Sequence, residues 1–258
     1  MSTLHGYIAL VTGAGSGVGQ AIAGALAAQG AILCLVGRTP ATLEATARGV
    51  NHAKVTTRCY PTDLTHDDAV QALAEQLRQD WDAIDILVHS AGVHAMGKLE
   101  GAPVAELDWQ YRTNVRAPYL LTQALLPLLR RQQGQVVFIN SSVGLTARGQ
   151  VGPYAATKHA LKAIADSFRE EVNAEGLRVL SVYLGRTASP MQERIHAVEG
   201  KAYHPEYLLQ PSDVAAVVLN ALCLPRTAEV TDISIRPMRK PSLQDVPGGC
   251  DGAGAGNA

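Results

Sequence analysis

The residues with the clearest chemical potential are Tyr154 and Lys158, which stand four positions apart in the run YAATK. On a helix this spacing places a phenol and an ammonium on one face, one turn apart. Ser141 closes an apolar run upstream, and Asn114 lies earlier still. A hydroxyl and a phenol beside a carbonyl oxygen can stabilise the charge that hydride transfer develops there and supply its proton. The pattern therefore predicts the interconversion of a carbonyl and an alcohol.

The spacing also bears on the pKa of the Tyr154 phenol. A free tyrosine has a pKa of about 10, which is too high for a base at neutral pH. The Lys158 cation one turn away favours the phenolate and so lowers that pKa. Two alternatives stay open, because Ser142 stands beside Ser141 and because Asn114 could simply cap or pin a helix.

A glycine-rich run, TGAGSGVG at residues 12–19, follows the first apolar run directly and leads into a helical pattern. Its glycines fit the spacing G-x-x-x-G-x-G, with Gly13, Gly17 and Gly19, and do not fit G-x-G-x-x-G. Such a loop lets the backbone approach a pyrophosphate, whose charge is met by amides at the start of the helix. We therefore expect a dinucleotide cofactor, with a plain tight turn as the alternative.

The end of the second apolar run reads VGRT at residues 36–39. An acid at this point takes the ribose hydroxyls of NAD, whereas an arginine suits the 2′-phosphate of NADP. Gly37 removes the acid, and the guanidinium of Arg38 offers a planar fork of donors for phosphate. NADP(H) is favoured and NAD(H) remains possible, since Arg38 could also be an ordinary solvated residue.

The elements that must position these residues follow from hydrophobic periodicity. Seven short apolar runs alternate with segments of helical spacing. The runs are Tyr7–Val11, Ala31–Val36, Val55–Tyr60, Ile84–His89, Gln135–Asn140, Arg178–Tyr183 and Val230–Ile235. Continuous apolar runs joined by crossover helices predict a parallel sheet covered on both faces. The expected fold is α/β, a single Rossmann-type doubly wound domain with a seven-stranded parallel sheet flanked by helices.

Composition excludes several classes of function. The 22 basic and 23 acidic residues leave a net charge of -1, and 5% of residues are aromatic, which argues against nucleic-acid binding. No apolar stretch approaches the roughly 18 residues that span a membrane. The four cysteines form no C-x-x-C pair, which argues against a metal site or a disulfide framework. The chain starts without a signal-peptide pattern, so we expect a cytoplasmic protein.

In combination, the glycine spacing with Asn114, Ser141, Tyr154 and Lys158 resembles the short-chain dehydrogenase/reductase family over about residues 6–236. The resemblance implies that Lys158 bonds the nicotinamide ribose and that Asn114 anchors a water in a proton relay. Tyr154 and Lys158 are thus expected to contact the cofactor as well. The other cofactor contacts that it implies are Gly13, Ser16, Gly17, Val18, Gly19, Arg38, Asp63, Leu64, Ala91, Gly92, Gly185 and Thr187.

The chain departs from the family pattern at two places. His89-Ser90 stands where relatives usually have two asparagines, and His89 is expected to be a structural hydrogen-bonding group. Leu184 replaces a proline before Gly185. After Gly185, Thr187 and Ser189 are both candidates for the polar contact to the cofactor.

The resemblance also suggests the boundaries and the substrate side. Residues 1–236 form the expected cofactor-binding domain, with a substrate lid near 187–210, and residues 237–258 form an expected flexible tail rich in proline and glycine. The expected pocket residues are His94, Val143, Met191 and Tyr203. Relatives are commonly dimers or tetramers, which implies a homodimer or homotetramer here.

The leading interpretation is an NADPH-dependent oxidoreductase that transfers a hydride between the cofactor and a ketone, aldehyde or secondary alcohol. One alternative is a 3-oxoacyl thioester reductase acting on an acyl carrier protein. Another is a non-catalytic NADP-binding regulator, against which an intact Ser141, Tyr154 and Lys158 argue, because a sensor needs no proton donor.

Overall fold

The computed structural model describes residues 4–238, which form one seven-stranded sheet with helices on both faces. All strand pairs are parallel, and the strand order is β3-β2-β1-β4-β5-β6-β7. The strands are β1 (Ile8–Thr12), β2 (Ile32–Gly37), β3 (Thr57–Pro61), β4 (Ile86–His89), β5 (Gln135–Ser141), β6 (Arg178–Leu184) and β7 (Asp232–Ile235). The predicted fold class is confirmed, and each strand lies within two residues of its predicted apolar run.

The helices cover the sheet in two layers, each over its own apolar core. The helices are α1 (Gly17–Ala28), α2 (Pro40–Val50), α3 (Asp67–Asp80), α4 (Val104–Tyr111), α5 (Ala117–Arg130), α6 (Gly152–Val172), α7 (Pro190–Val198) and α8 (Pro211–Leu222). One core lies beneath α1, α2 and α8, and the other lies beneath α3, α5 and α6. The central strands are buried on both faces, which explains why they read as continuous apolar runs.

The register brings the carboxyl ends of the central strands to one edge of the sheet. Thr12 at the end of β1 pairs with His89 at the end of β4, and Ser141 at the end of β5 pairs with Leu184 at the end of β6. In open α/β sheets ligands bind outside this edge, where the strand order reverses. The reversal here lies between β1 and β4, directly beside the glycine-rich loop.

The segment that carries Asn114 is not one regular helix. The structure has two helices there, α4 and α5, joined by the π-helical turn Arg112–Arg116. An extra residue in such a turn changes the direction of the following side chains, and π-turns are common at functional sites. Asn114 lies in the middle of this turn and is buried.

Within residues 4–238, no helix is long and apolar enough to cross a membrane. Of the predicted tail, only residues 237 and 238 lie within the described part of the chain, and the remainder lies outside it. The boundary at residue 236 and the lid at 187–210 therefore remain predictions.

Candidate active site

The glycine-rich loop is packed so tightly that side chains are excluded at two of its positions. A Cβ atom at Gly13 would lie 2.8 Å from the backbone of Ala91, and Gly13 has φ +67°. A Cβ at Gly19 would lie 2.4 Å from the carbonyl oxygen of Gly13. The loop therefore rests directly on the segment after β4, and only glycine allows this approach.

Helix α1 begins at this loop with unsatisfied backbone donors. Ser16 is its N-cap but makes no side-chain capping bond, and the first turn contains no acidic residue. The uncapped amides and the helix dipole together suit an anion such as a pyrophosphate. Val18 follows in the first turn and packs its side chain against the core beneath α1. This end of the sheet therefore fits a dinucleotide cofactor.

Ser189, in the predicted lid, packs against the glycine-rich loop. A Cβ at Gly17, which has φ +55°, would lie 3.3 Å from the Ser189 Cβ. Thr187 is buried and donates its hydroxyl to the Gly185 carbonyl (3.1 Å). A Cβ at Gly185 would lie 2.9 Å from Pro237, so this glycine allows close packing after β7. Of the two candidates for the polar contact, Ser189 is the one packed beside the loop.

The predicted adenosine side lies at the ends of β2 and β3. Burial opposes ionisation of Asp63, but hydrogen bonds from Thr65 and the nearby Arg38 charge outweigh it, and the pKa of Asp63 is lowered. Asp63 Oδ1 accepts from the Thr65 backbone N–H (3.0 Å) and hydroxyl (2.8 Å). Arg38 is exposed, and Leu64 is buried beneath this corner. Arg38 therefore lies near enough to Asp63 for its charge to act on that carboxylate.

Two hydroxyl groups brace the segment after β4, where the family's usual asparagines are missing. Thr12 Oγ1 accepts from the backbone N–H groups of Ser90 and Ala91 (3.1 Å each). His89 Nε2 lies 2.8 Å from Thr122 Oγ1, and burial lowers the pKa of His89 to about 3. His89 is thus a neutral, hydrogen-bonded core residue, consistent with its structural interpretation.

Tyr154 and Lys158 lie on the first turns of α6, where Lys158 is buried and Tyr154 is half-buried. Burial raises the pKa of Tyr154 to about 12, with the Ser141 side chain acting in the opposite direction through a hydrogen bond. Burial lowers the pKa of Lys158 to about 8. Lys158 Nζ lies 5.8 Å from the centre of the Tyr154 ring and donates to the Ile139 carbonyl (3.1 Å). A phenol and a destabilised cation are therefore held side by side.

Ser141 ends β5 with its side chain beside the phenol. Its hydroxyl also caps the short turn that follows, by accepting from the Val143 backbone N–H at 3.4 Å. Asn140, just before it, accepts from the Ser141 N–H (2.7 Å) and donates to the Lys158 carbonyl (3.1 Å). Asn140 therefore ties the end of β5 to the helix that carries Tyr154. Sequence reasoning missed it, although an asparagine closing an apolar strand was a visible signal.

Asn114 connects three parts of the site. Its Oδ1 accepts from the Val93 N–H (2.9 Å), and its Nδ2 donates to the Val93 carbonyl (2.9 Å) and to Thr157 Oγ1 (3.1 Å). A Cβ at Gly92 would lie 3.5 Å from Asn114 Oδ1 and 3.9 Å from Lys158 Nζ. The side chain thus pins the loop after β4 to α6, while Asn114 remains beside Lys158. Asn114 can therefore both hold the loop after β4 and take part in a proton relay beside Lys158.

On the predicted substrate side, polar contacts hold the predicted lid at two places. Arg186 forms two hydrogen bonds with Glu199 (2.9 and 2.5 Å), and Lys201 joins the same carboxylate at 3.1 Å. Tyr203 accepts from the Ser189 N–H at 3.1 Å. The ion pair of Arg186 with Glu199, whose partners are thirteen residues apart, was not predicted from the sequence.

The predicted pocket residues fall into two groups. His94 packs edge-to-face against Tyr154, with ring centres 4.4 Å apart, and Val143 lies in the middle of the short turn capped by Ser141. Tyr203 packs within the lid against His196, and Met191 lies in the first turn of α7. His94 is therefore the one for which the structure gives a side-chain contact with Tyr154.

A doubly wound parallel sheet with a glycine-rich loop beside the point where the strand order reverses is typical of proteins that bind nicotinamide dinucleotides. Comparison with known proteins gives the family. A sequence model of the short chain dehydrogenase family matches residues 7–200. An uncharacterised oxidoreductase of Staphylococcus aureus (strain USA300) is 31% identical over 239 residues, which are 92% of this chain and 100% of the relative.

Solved structures agree. A metagenomic short-chain oxidoreductase in complex with NADP superposes with a TM-score of 0.80 at 29% identity, covering 93% of this chain and 100% of the other. Levodione reductase superposes with a TM-score of 0.82 at 26% identity, covering 90% and 96%. The chain belongs to the short-chain dehydrogenase/reductase family and is an NAD(P)-dependent oxidoreductase, which sets aside the non-catalytic alternative.

Proposed function

We propose that this protein is an NADPH-dependent reductase of ketones or aldehydes, which can run in reverse on secondary alcohols. The observation that carries the proposal is that the Lys158 ammonium lies 5.8 Å from the centre of the Tyr154 ring, with Ser141 at the phenol. The names of two similar structures, a complex with NADP and a levodione reductase, support the cofactor and the type of substrate.

In this proposal a bound nicotinamide cofactor supplies or accepts the hydride. The Ser141 hydroxyl donates a hydrogen bond to the carbonyl oxygen and orients it, and the Tyr154 phenol delivers the proton to the same oxygen. Lys158 bonds the nicotinamide ribose, and its charge stabilises the phenolate that is left. Asn114 holds the loop after β4 and a water that reconnects Lys158 with solvent. Acid–base assistance of this kind is worth roughly 10²–10⁴ in rate.

The uncapped start of α1 and the glycines around it suit the pyrophosphate, and Asp63 suits the adenine amino group. Ala91 and Gly92 would present backbone to the cofactor in the segment after β4, where a Cβ at Gly92 would lie in ordinary contact with Asn114 and Lys158. Arg38 is exposed at the end of β2 and is positioned for a 2′-phosphate. Of these features Arg38 is the one that favours NADPH over NADH, because the others suit groups that both cofactors carry.

Binding measurements test the cofactor proposal. NADPH and NADH are titrated into the parent protein and into Arg38→Asp, with nucleotide fluorescence as the signal. We expect the parent to bind NADPH more tightly and the variant to shift toward NADH. Arg48→Asp is a matched control, since it makes the same charge change at an exposed position of α2. Tighter NADH binding by the parent would overturn the proposal.

Turnover of a panel of carbonyl compounds, followed by NADPH absorbance, tests the chemistry. Tyr154→Phe should bind NADPH normally and lose roughly 10²–10⁴ of the rate. Tyr7→Phe is the matched control, because Tyr7 precedes β1 at the opposite edge of the sheet. Turnover by Tyr154→Phe equal to that of the parent would refute the assigned proton donor.

The proposal extends to assembly and location. Tyr111 and Tyr119 on α4 and α5 are about half exposed (48% and 49%), and Leu107 is exposed on the same segment. An apolar face of this kind suits the homodimer or homotetramer that the family commonly forms. Light scattering tests it, and a monomer at micromolar concentration would contradict it. A cytoplasmic location is part of the same proposal.

A further inference from the structure

His94 lies in the loop after β4, between two residues whose backbones are held by side chains. The Val93 N–H and carbonyl are both bonded to Asn114 at 2.9 Å. The Ala95 N–H donates to Gln110 Oε1 at 3.0 Å, and Gln110 is completely buried. The backbone of His94 is therefore fixed on both sides, which favours one position of its imidazole ring.

The imidazole ring contacts the Tyr154 ring but has no hydrogen-bond partner among residues 4–238. The ring centres are 4.4 Å apart at an interplanar angle of 63°. Burial lowers the pKa of His94 to about 4; Glu199 acts in the opposite direction, and the charges of Arg186 and Lys158 add to the lowering. The ring is neutral at physiological pH, so one nitrogen is a donor and the other an acceptor.

The charged groups that face His94 are already engaged with other partners. Arg186 is paired with Glu199 through two bonds, and Lys201 shares the same carboxylate, which is only 12% exposed. Lys158 donates to a backbone carbonyl. The imidazole of His94 is only half-buried beside the Tyr154 ring, so its free donor and acceptor are open to a ligand from outside the described chain.

We infer that His94 is a specificity-determining residue that hydrogen-bonds a second oxygen of the substrate, on the carbon next to the reacting carbonyl. The preferred substrates are then vicinal dicarbonyl and α-hydroxycarbonyl compounds, an inference that rests on the proposed function. The reacting oxygen lies at the Tyr154 phenol, and an imidazole touching the phenol ring reaches the neighbouring position of the substrate. A simple ketone leaves the imidazole unpaired, and sites of this type discriminate against such analogues.

A matched substrate pair tests the inference. Reduction of 2,3-hexanedione and of 2-hexanone by NADPH is measured for the parent, His94→Phe and His94→Gln. Phenylalanine keeps an aromatic contact with Tyr154 but removes the hydrogen bond, whereas glutamine keeps a donor and an acceptor. We expect His94→Phe to raise KM for the dione roughly 10- to 100-fold with kcat nearly unchanged, because a bond to a spectator oxygen contributes uniform binding. The parameters for 2-hexanone should change little, and His94→Gln should recover most of the loss.

Three outcomes would overturn the inference. These are equal losses for both substrates, a fall in kcat for both substrates, and the absence of recovery by glutamine. The first and third indicate a packing role, and the second indicates a role in proton transfer.

Failure of the proposed function is distinguished separately, because the parent would then reduce neither compound. Saturation-transfer NMR of both compounds with the NADPH-loaded protein decides the inference in that case. A stronger signal for the dione that is lost in His94→Phe supports it, and equal signals refute it.

Discussion

Replacing Lys158 by methionine should make the cofactor-free protein more stable at neutral pH, and this gain should vanish in alkaline solution. The lysine side chain is 5% exposed, and its ammonium donates to the Ile139 carbonyl at 3.1 Å. Burial lowers its pKa from 10.5 to about 8. The fold therefore holds a charge that it would bind more favourably as the neutral amine.

The magnitude follows from the two pKa values. A lysine whose pKa falls from 10.5 to about 8 on folding opposes folding by about 3 kcal/mol at pH 7. Below pH 8 both states are protonated, so the full penalty applies. Between pH 8 and 10.5 the folded state loses its proton first, and the penalty falls to about 1 kcal/mol at pH 10.

Methionine removes the charge but leaves the Ile139 carbonyl without its donor, which costs about 1 kcal/mol at either pH. Lys158→Met should therefore unfold with a free energy about 2 kcal/mol above the parent at pH 7 and about equal to it at pH 10. The change in this difference with pH is independent of the lost hydrogen bond.

Urea unfolding of the cofactor-free proteins, followed by circular dichroism at pH 7 and pH 10, measures the effect. Lys162→Met is the matched control, one turn further along α6, where the side chain is 39% exposed and paired with Asp166. That hydrogen bond raises the pKa of Lys162, so its contribution should not change between the two pH values. A Lys158→Met difference that is the same at both pH values would refute the account of a buried, destabilised cation.

Three other predictions concern the glycine-rich loop, the hydrogen bonds of Asn114 and the predicted lid. Gly19→Ala should abolish NADPH binding in titrations, since its Cβ would lie 2.4 Å from a backbone oxygen. Gly24→Ala in the same helix is the control, because its Cβ meets nothing within 4 Å, and it should raise the free energy of unfolding by about 1 kcal/mol. Normal NADPH binding by Gly19→Ala would contradict the steric argument. Asn114→Ala should lower the free energy of unfolding by about 1–3 kcal/mol, because the Val93 N–H and carbonyl lose their partners. An unchanged urea midpoint would show that these two hydrogen bonds do not stabilise the fold. Arg186→Ala should speed amide exchange in the lid, because Glu199 loses its bidentate partner, and unchanged exchange would refute the fastening.

The strands were predictable from sequence because their burial on both faces is written directly into the chain. Val136, Val137 and Phe138 of β5 are completely buried, so no polar residue interrupts them. The π-helical turn at Arg112–Arg116 was not predictable, because one extra residue in a turn leaves the apolar spacing nearly unchanged. What fixes it is a set of long-range bonds, such as that from Asn114 to Thr157.

The candidate site divides in the same way. Tyr154 and Lys158 are visible in sequence because helical geometry relates residues four apart. The contact of His94 with Tyr154 and the pairing of Arg186 with Glu199 depend on how separate loops meet above the sheet. Residue types and local periodicity contain no information about contacts between separate loops. Tyr154 and Lys158 were therefore assigned from the sequence, whereas the contacts of His94 and Arg186 were found only in the structure.

Three departures from favourable local structure lie at the same edge of the sheet. Helix α1 starts without a side-chain cap, Lys158 is a buried cation, and the imidazole of His94 has no partner among the described residues. Each would be relieved by one component of a ternary complex: a pyrophosphate at the amides, a ribose and a phenolate at the ammonium, and a second substrate oxygen at the imidazole. Unfavourable features that a single ligand set would satisfy together are expected where selection acts on binding rather than on stability. On this reasoning the pH dependence of Lys158 and the substrate preference set by His94 are independent measurements of one site.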